Sequence, residues 1–137
     1  MEGLGRVFNV LNVADGVAIN MRDYGAVTFV CQLDAGDTFT VSEASSFAGS
    51  YATLSTVTQY YTTAKAGTGT WTKVTQAAGA VVTADTVVAA FTVSAEELSD
   101  GKAFLKCTST STGTVVAILH DPKHGRTPAN LPAVSAA

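Results

Sequence analysis

The sequence predicts an all-β fold, an antiparallel β-sandwich, and three observations carry that expectation. Apolar residues alternate with Thr and Ser at a period of two through several short segments, the mark of strands with one buried face. Clusters of Gly, Asp, Ser and Thr separate those segments, and no amphipathic helix of crossover length lies between them, which excludes a parallel α/β sheet. All three prolines, Pro122, Pro128 and Pro132, fall after Asp121, so the rest of the chain is free of the residue that deletes a ladder donor. The chain therefore divides into a β body, residues 1–121, and an extended, proline-punctuated C-terminal arm, residues 122–137.

Strands are expected at Val7 to Val13 and Val17 to Met21. The next two have the clearest alternation, with odd positions apolar from Val27 to Leu33 and again from Phe39 to Val41. The turn Asp34-Ala35-Gly36-Asp37 between them predicts a hairpin. Val57 to Thr62, Thr70 to Thr75, Val87 to Val93, Ala103 to Thr108 and Thr114 to His120 complete the strand set. Ala64 to Gly69 and Gln76 to Asp85 read as exposed loops. The one helical signal is Ser94-Ala95-Glu96-Glu97-Leu98, in which Ser94 caps and Glu97 reaches back as a capping box before the turn Asp100-Gly101. A jelly-roll or immunoglobulin-like sandwich with one short helical turn accommodates this series.

The 137 residues fit one domain with one core. Charged residues make up 14% of the chain, against about 25% in an ordinary soluble domain. Thr, Ser and Ala fill the deficit, giving a weakly solvated surface suited to packing against neighbours. Six basic and eleven acidic side chains up to Asp121 leave the body at −5, whereas Lys123 and Arg126 make the arm +2. That balance argues against nucleic-acid binding. The opening residues Met1 to Arg6 lack the basic and apolar regions of a secretory signal, and no apolar run approaches the ~20 residues of a membrane span. A soluble protein made in the cytoplasm is expected, with Cys31 and Cys107 as buried free thiols; an inter-sheet disulfide is the alternative for a chain that matures in an oxidising compartment.

No set of side chains spells out a reaction. His120-Asp121-Pro122-Lys123-His124 is the only cluster of metal-type ligands, and a metal would need three or four converging groups without Lys123 and Arg126 to repel it. Both histidines begin the arm, and there is no Gly-x-Ser-x-Gly elbow or Gly-rich phosphate loop. The carboxylates of Asp34 and Asp37 read as turn chemistry. No catalytic residue, cofactor or metal site is expected. The aromatics are the better candidates. Tyr60 and Tyr61 are adjacent in a strand and must face opposite ways, and Trp71 stands on a candidate edge strand. Such residues anchor protein interfaces or stack on sugars, and the scarcity of orienting polar groups nearby favours an interface. In the arm, Lys123, His124, Arg126, Pro128 and Leu131 are candidate partner contacts. The prolines would pre-order the arm for docking on a neighbouring subunit or on a larger shell and not on its own core, with Leu131 and Val134 as small apolar anchors.

The run Val27-Thr28-Phe29 to Gly36-Asp37-Thr38-Phe39-Thr40-Val41 resembles small virion proteins of tailed bacteriophages. So do the segment Val93 to Leu98 with Asp100-Gly101 and the ending Val116 to Pro122. The resemblance implies a structural, non-enzymatic role, first as a capsid decoration (cement) protein bound to the major capsid protein on the outer surface of the head. It implies a homo-oligomer, with a trimer favoured, made in the host cytoplasm and located in the virion. A tail-tube or head-tail completion subunit is the alternative, and a carbohydrate-binding or adhesin module a second.

Overall fold

The computed structural model describes residues 2–13, 16–32, 36–83 and 87–136, without the side chains of residues 82 and 83. The chain forms β1 (Phe8–Asn12), β2 (Ile19–Asn20), β3 (Tyr24–Gln32), β4 (Asp37–Ala44), β5 (Ala52–Thr53) and β6 (Val57–Ala64). There follow β7 (Thr72–Gly79), β8 (Val81–Thr83), β9 (Val87–Ser94), β10 (Phe104–Ser109) and β11 (Thr114–Pro122). Single 3₁₀ turns sit at Ala95–Glu97 and Pro128–Asn130. One sheet has six strands in the order β1-β11-β3-β9-β6-β7; the other has β2-β10-β4-β5, with β8 also paired to β4. All named strand pairs are antiparallel, and the two layers enclose one core, so the molecule is an all-β sandwich.

The alternation dictates the core. Val27, Phe29 and Cys31 of β3 and Phe91 and Val93 of β9 face inward, as do Val115, Ala117 and Leu119 of β11. They meet Phe39 and Val41 of β4 and Leu105 and Cys107 of β10. Phe29 and Phe91 lie opposite each other in the β3–β9 register, with ring centroids 5.5 Å apart. The capping box forms as expected: Ser94 Oγ accepts from the Glu96 amide, and Glu97 Oε2 accepts from the Ser94 amide at 2.7 Å. Glu97 Oε1 also accepts from the Thr56 hydroxyl, which ties this turn to the segment entering β6.

Three expectations need correction. β3 and β4 do not form a hairpin, because β3 pairs with β9 and β11 whereas β4 pairs with β10, β5 and β8 in the other sheet. Asp34 and its turn neighbours 33 and 35 lie outside the described residues. The alternating pattern marks which side of each strand is buried, and two strands packed face to face satisfy it as well as two strands side by side. Residues 76–83 are not a loop. β7 runs on to Gly79, Gln76 Nε2 donates to the carbonyls of Val57 and Ala80, and β8 joins β4; Asp85 lies outside the described residues.

The arm returns to its own domain. Pro122 is still part of β11, opposite Tyr24 on β3, at a point where β1 has already ended and no donor is needed on that side. The Lys123 amide donates to Asp23 O and the Arg126 amide to Gly5 O. Val134 enters the hydrophobic core, its carbonyl accepting from the Asn20 amide at 2.7 Å, and Asn20 Nδ2 donates to Ala136 O. A small apolar anchor near the chain end is held this way because burying it together with two backbone-directed hydrogen bonds offsets the entropy of ordering the segment.

Candidate binding face

The two outer faces of the sandwich are treated differently. On the five-stranded sheet Phe104 points away from the main core yet is only 1% exposed. Segment 45–51, between β4 and β5, lies over it. Phe47 meets its ring edge-on at 6.2 Å, and the Arg22 guanidinium stands 4.9 Å from the ring centroid. Tyr51 donates to Phe47 O, and the Lys106 ammonium caps the Tyr51 ring at 4.2 Å.

The other outer face is more open, although Ala26 at one end of it is buried. Its residues fall in rungs that follow from the registers. One rung runs Asn12, Val116, Val30, Ala90, Tyr61, Lys73 over all six strands. The next runs Val10, Ile118, Thr28, Thr92, and the third Phe8, His120, Ala26, Ser94. Phe8, Val10 and Tyr61 are 36%, 45% and 44% exposed. Val30, Val88, Val116 and Ile118 are half-buried by their neighbours. In these three rungs Lys73 is the only permanent charge and there is no carboxylate.

A polar island interrupts this apolar face. The Thr28 hydroxyl is 2.8 Å from the Thr92 hydroxyl and 2.9 Å from His120 Nε2, while His120 Nδ1 lies 3.2 Å from Asp121 Oδ2. Asp121 takes a left-handed φ of 53°, which turns the chain at the end of β11 and brings its carboxylate beside the imidazole. The order Asp–His–Thr is that of a nucleophile relay. However, Thr28 sits in a central strand paired on both sides, so its neighbouring amides are committed to the ladder and cannot form an oxyanion hole. The relay's demonstrable effect is to orient His120 and satisfy two strand threonines. A shallow depression of about 220 Å³ lies alongside, lined by Thr28, Gln59, Tyr61, Ala90, Phe91 and Thr92. It is smaller than the pockets of roughly 300 Å³ and above that hold small ligands.

The predicted contact residues separate into two groups. Tyr60 is 6% exposed and belongs to the core, whereas Tyr61 opposes it on the outer face. Trp71, 53% exposed, precedes β7, the edge strand on the Tyr61 side. Lys123, His124, Arg126 and Pro128 are exposed and Leu131 half-buried, but they follow β11, with β3 and β9 intervening before β6 is reached. Among the described residues no three His, Cys, Asp or Glu side chains group as metal ligands. No described helix is long and apolar enough to cross a membrane.

Asp37 is not an exposed turn carboxylate. It is 4% exposed at the start of β4. Its Oδ1 accepts from the Thr38 amide at 2.7 Å, the Thr110 amide at 3.1 Å and the Thr110 hydroxyl at 2.6 Å, and its Oδ2 accepts from Ser109 Oγ. Burial alone would raise its pKa, but these hydrogen bonds to the charged form outweigh it and hold the carboxyl below the usual aspartate value.

Sequence reasoning missed the bare face, although a signal was present. Val115 to Leu119 and Val87 to Phe91 are continuous apolar runs, and a strand that is apolar on both sides needs a covering on both. No protein-family model, curated protein or solved structure matches the chain. The fold and the face define a class: an all-β sandwich whose six-stranded sheet presents, among the described residues, a partly exposed and nearly charge-free outer side.

Proposed function

We propose that this protein is a structural component of a bacteriophage virion, a decoration protein that binds the outer surface of the head and reinforces it without doing chemistry. The observation that supports the reading is the outer face of the six-stranded sheet. The fourteen rung positions, each taking about 4.8 Å between strands and about 6.7 Å along a strand, cover roughly 450 Å² of sheet, the polar members included. That is within the range of the largest patches monomers expose, which are often functional, and about half of one side of a standard interface. Among the described residues no acidic side chain belongs to these rungs and the nearest, Asp121, is paired with His120, so association through this face meets little like-charge repulsion. The major capsid protein is the proposed partner and a homo-oligomer, with three copies favoured, the proposed form.

The test is co-sedimentation with shells assembled from a tailed-phage major capsid protein, followed by electron microscopy. Wild-type protein should pellet with shells, and Val10→Glu or Tyr61→Glu should reduce binding at least tenfold while the folded monomer remains intact. Equal binding by both variants would refute the role of this face. Density inside the tail would support the alternative of a tail-tube or head-tail completion subunit, a reading that draws on the open edges β1 and β7 of the same sheet. A carbohydrate-binding module is the second alternative, favoured by the exposed Trp71 and by Gln59 and Thr92 beside Tyr61. Glycan binding abolished by Trp71→Ala would establish it.

A further inference from the structure

The two cysteines are brought together by the fold from opposite layers. Cys31 projects inward from β3 of the six-stranded sheet, between Val115 and Ala89 in register. Cys107 projects inward from β10 of the five-stranded sheet, opposite Val41. Both are free thiols with no exposed surface, and they share a hydrogen bond across the core.

We infer that Cys31 and Cys107 are a latent inter-sheet disulfide that a low-molecular-weight disulfide can close while the chain is folding but not once it has folded. Exchange needs a thiolate and an approach path to it. In the folded protein the hydrogen bond to Cys107, then burial, then the proximity of Cys107 and Asp37 push the Cys31 thiol far above its ordinary pKa. Complete burial also leaves no route for an oxidant. In the unfolded chain both thiols ionise normally. One thiolate then attacks a sulfur of glutathione disulfide, forming a mixed disulfide and releasing one glutathione thiolate. As the sheets close, the second cysteine thiolate displaces the other glutathione. Two electrons pass from the protein thiols to glutathione disulfide, giving two glutathione thiols and one protein disulfide, with the two thiol protons released to solvent or to the departing thiolates. The fold therefore retains the redox state of the medium in which it formed.

The experiment compares three samples of the full chain. One is refolded from denaturant in glutathione disulfide with glutathione, one is refolded in excess reductant, and one is native protein incubated in the same oxidising buffer. The first should be lighter than the second by two hydrogen atoms, should resist alkylation after denaturation, and should melt at a higher temperature because the bridge restricts the unfolded chain. The third should stay reduced over hours, with both thiols alkylated only after unfolding. Cys107→Ala refolded in the oxidising mixture should yield no internal bridge. Rapid bridging of the native protein would overturn the claim of folding-time closure. Glutathione adducts or intermolecular dimers in the first sample would overturn the pairing. If the chain does not refold from denaturant, cell-free synthesis in the oxidising and reducing buffers gives the same comparison with the same two deciding outcomes.

Discussion

At the residue scale, the clearest consequence of position is at Asp37. Its carboxylate accepts from the Thr38 amide of β4, from the Ser109 hydroxyl at the end of β10 and from the amide and hydroxyl of Thr110 just after it, so it links the two strands through charge-assisted bonds. Because the folded pKa lies below the unfolded value, near 3.9, the linkage favours folding above about pH 4 and is lost as pH falls through the folded value. Urea unfolding between pH 2 and pH 6 should show this acid loss in wild type, and Asp37→Asn should largely remove it. Asp37→Asn should also lower stability at pH 7 by about 1 to 3 kcal/mol, since the new amide N–H faces donors. Gly113 is coupled to the same site. A Cβ there would meet Asp37 Oδ2 at 2.8 Å and the Phe39 ring at 2.9 Å, so Gly113→Ala should destabilise while Gly101→Ala, in open space, should be limited by its φ of +76° alone. In the core, Phe29→Ala or Phe91→Ala should each cost roughly 3 to 5 kcal/mol in denaturant titrations, because both rings are buried and face each other.

At the element scale, the arm is a working part of the fold. The expectation that it docks only on a neighbour rested on its prolines and its charge, and both remain compatible with an exposed path from Lys123 to Asn130. What the sequence did not reveal is that Val134 fills a place in the core beside β2. A chain truncated after Arg126 should therefore melt several degrees lower than the full protein, and Val134→Ala alone should cost roughly 2 kcal/mol by calorimetry. An unchanged melting temperature on truncation would restore the picture of a detached arm. The same limit of local pattern explains β3 and β4. Each was legible as a strand from its own residues, and each was assigned its buried face correctly. Their partners were not legible, because pairing is chosen among strands distant in sequence. β3, with Val27, Phe29 and Cys31 in the core, takes the interior of the larger sheet between β11 and β9.

At the scale of the whole molecule, the two outer faces of the sandwich differ. Segment 45–51 with Arg22 and Lys106 shelters Phe104, whereas on the other face Val10 and Tyr61 are exposed and Val30 and Ile118 half-buried. Placing a charge on the bare face should alter association but not folding. Val10→Glu should keep the wild-type unfolding midpoint within about 0.5 kcal/mol, as expected for an exposed edge-strand position, while shifting light-scattering mass toward monomer. A wild-type protein that is monomeric at high concentration, alone and with shells, would remove the basis for assembly through this face. The sequence by itself determined the all-β class, the positions of most strands, the inward-facing residues and the capping box at Ser94, since each depends on residues within a few positions of one another. Only the tertiary structure decided which strands pair, where the arm ends, that Cys31 meets Cys107, and that the outer sides of β3, β9 and β11 join into one surface. Those outcomes depend on contacts between residues far apart in the chain, and a period of two states which way a side chain points without stating what it will meet.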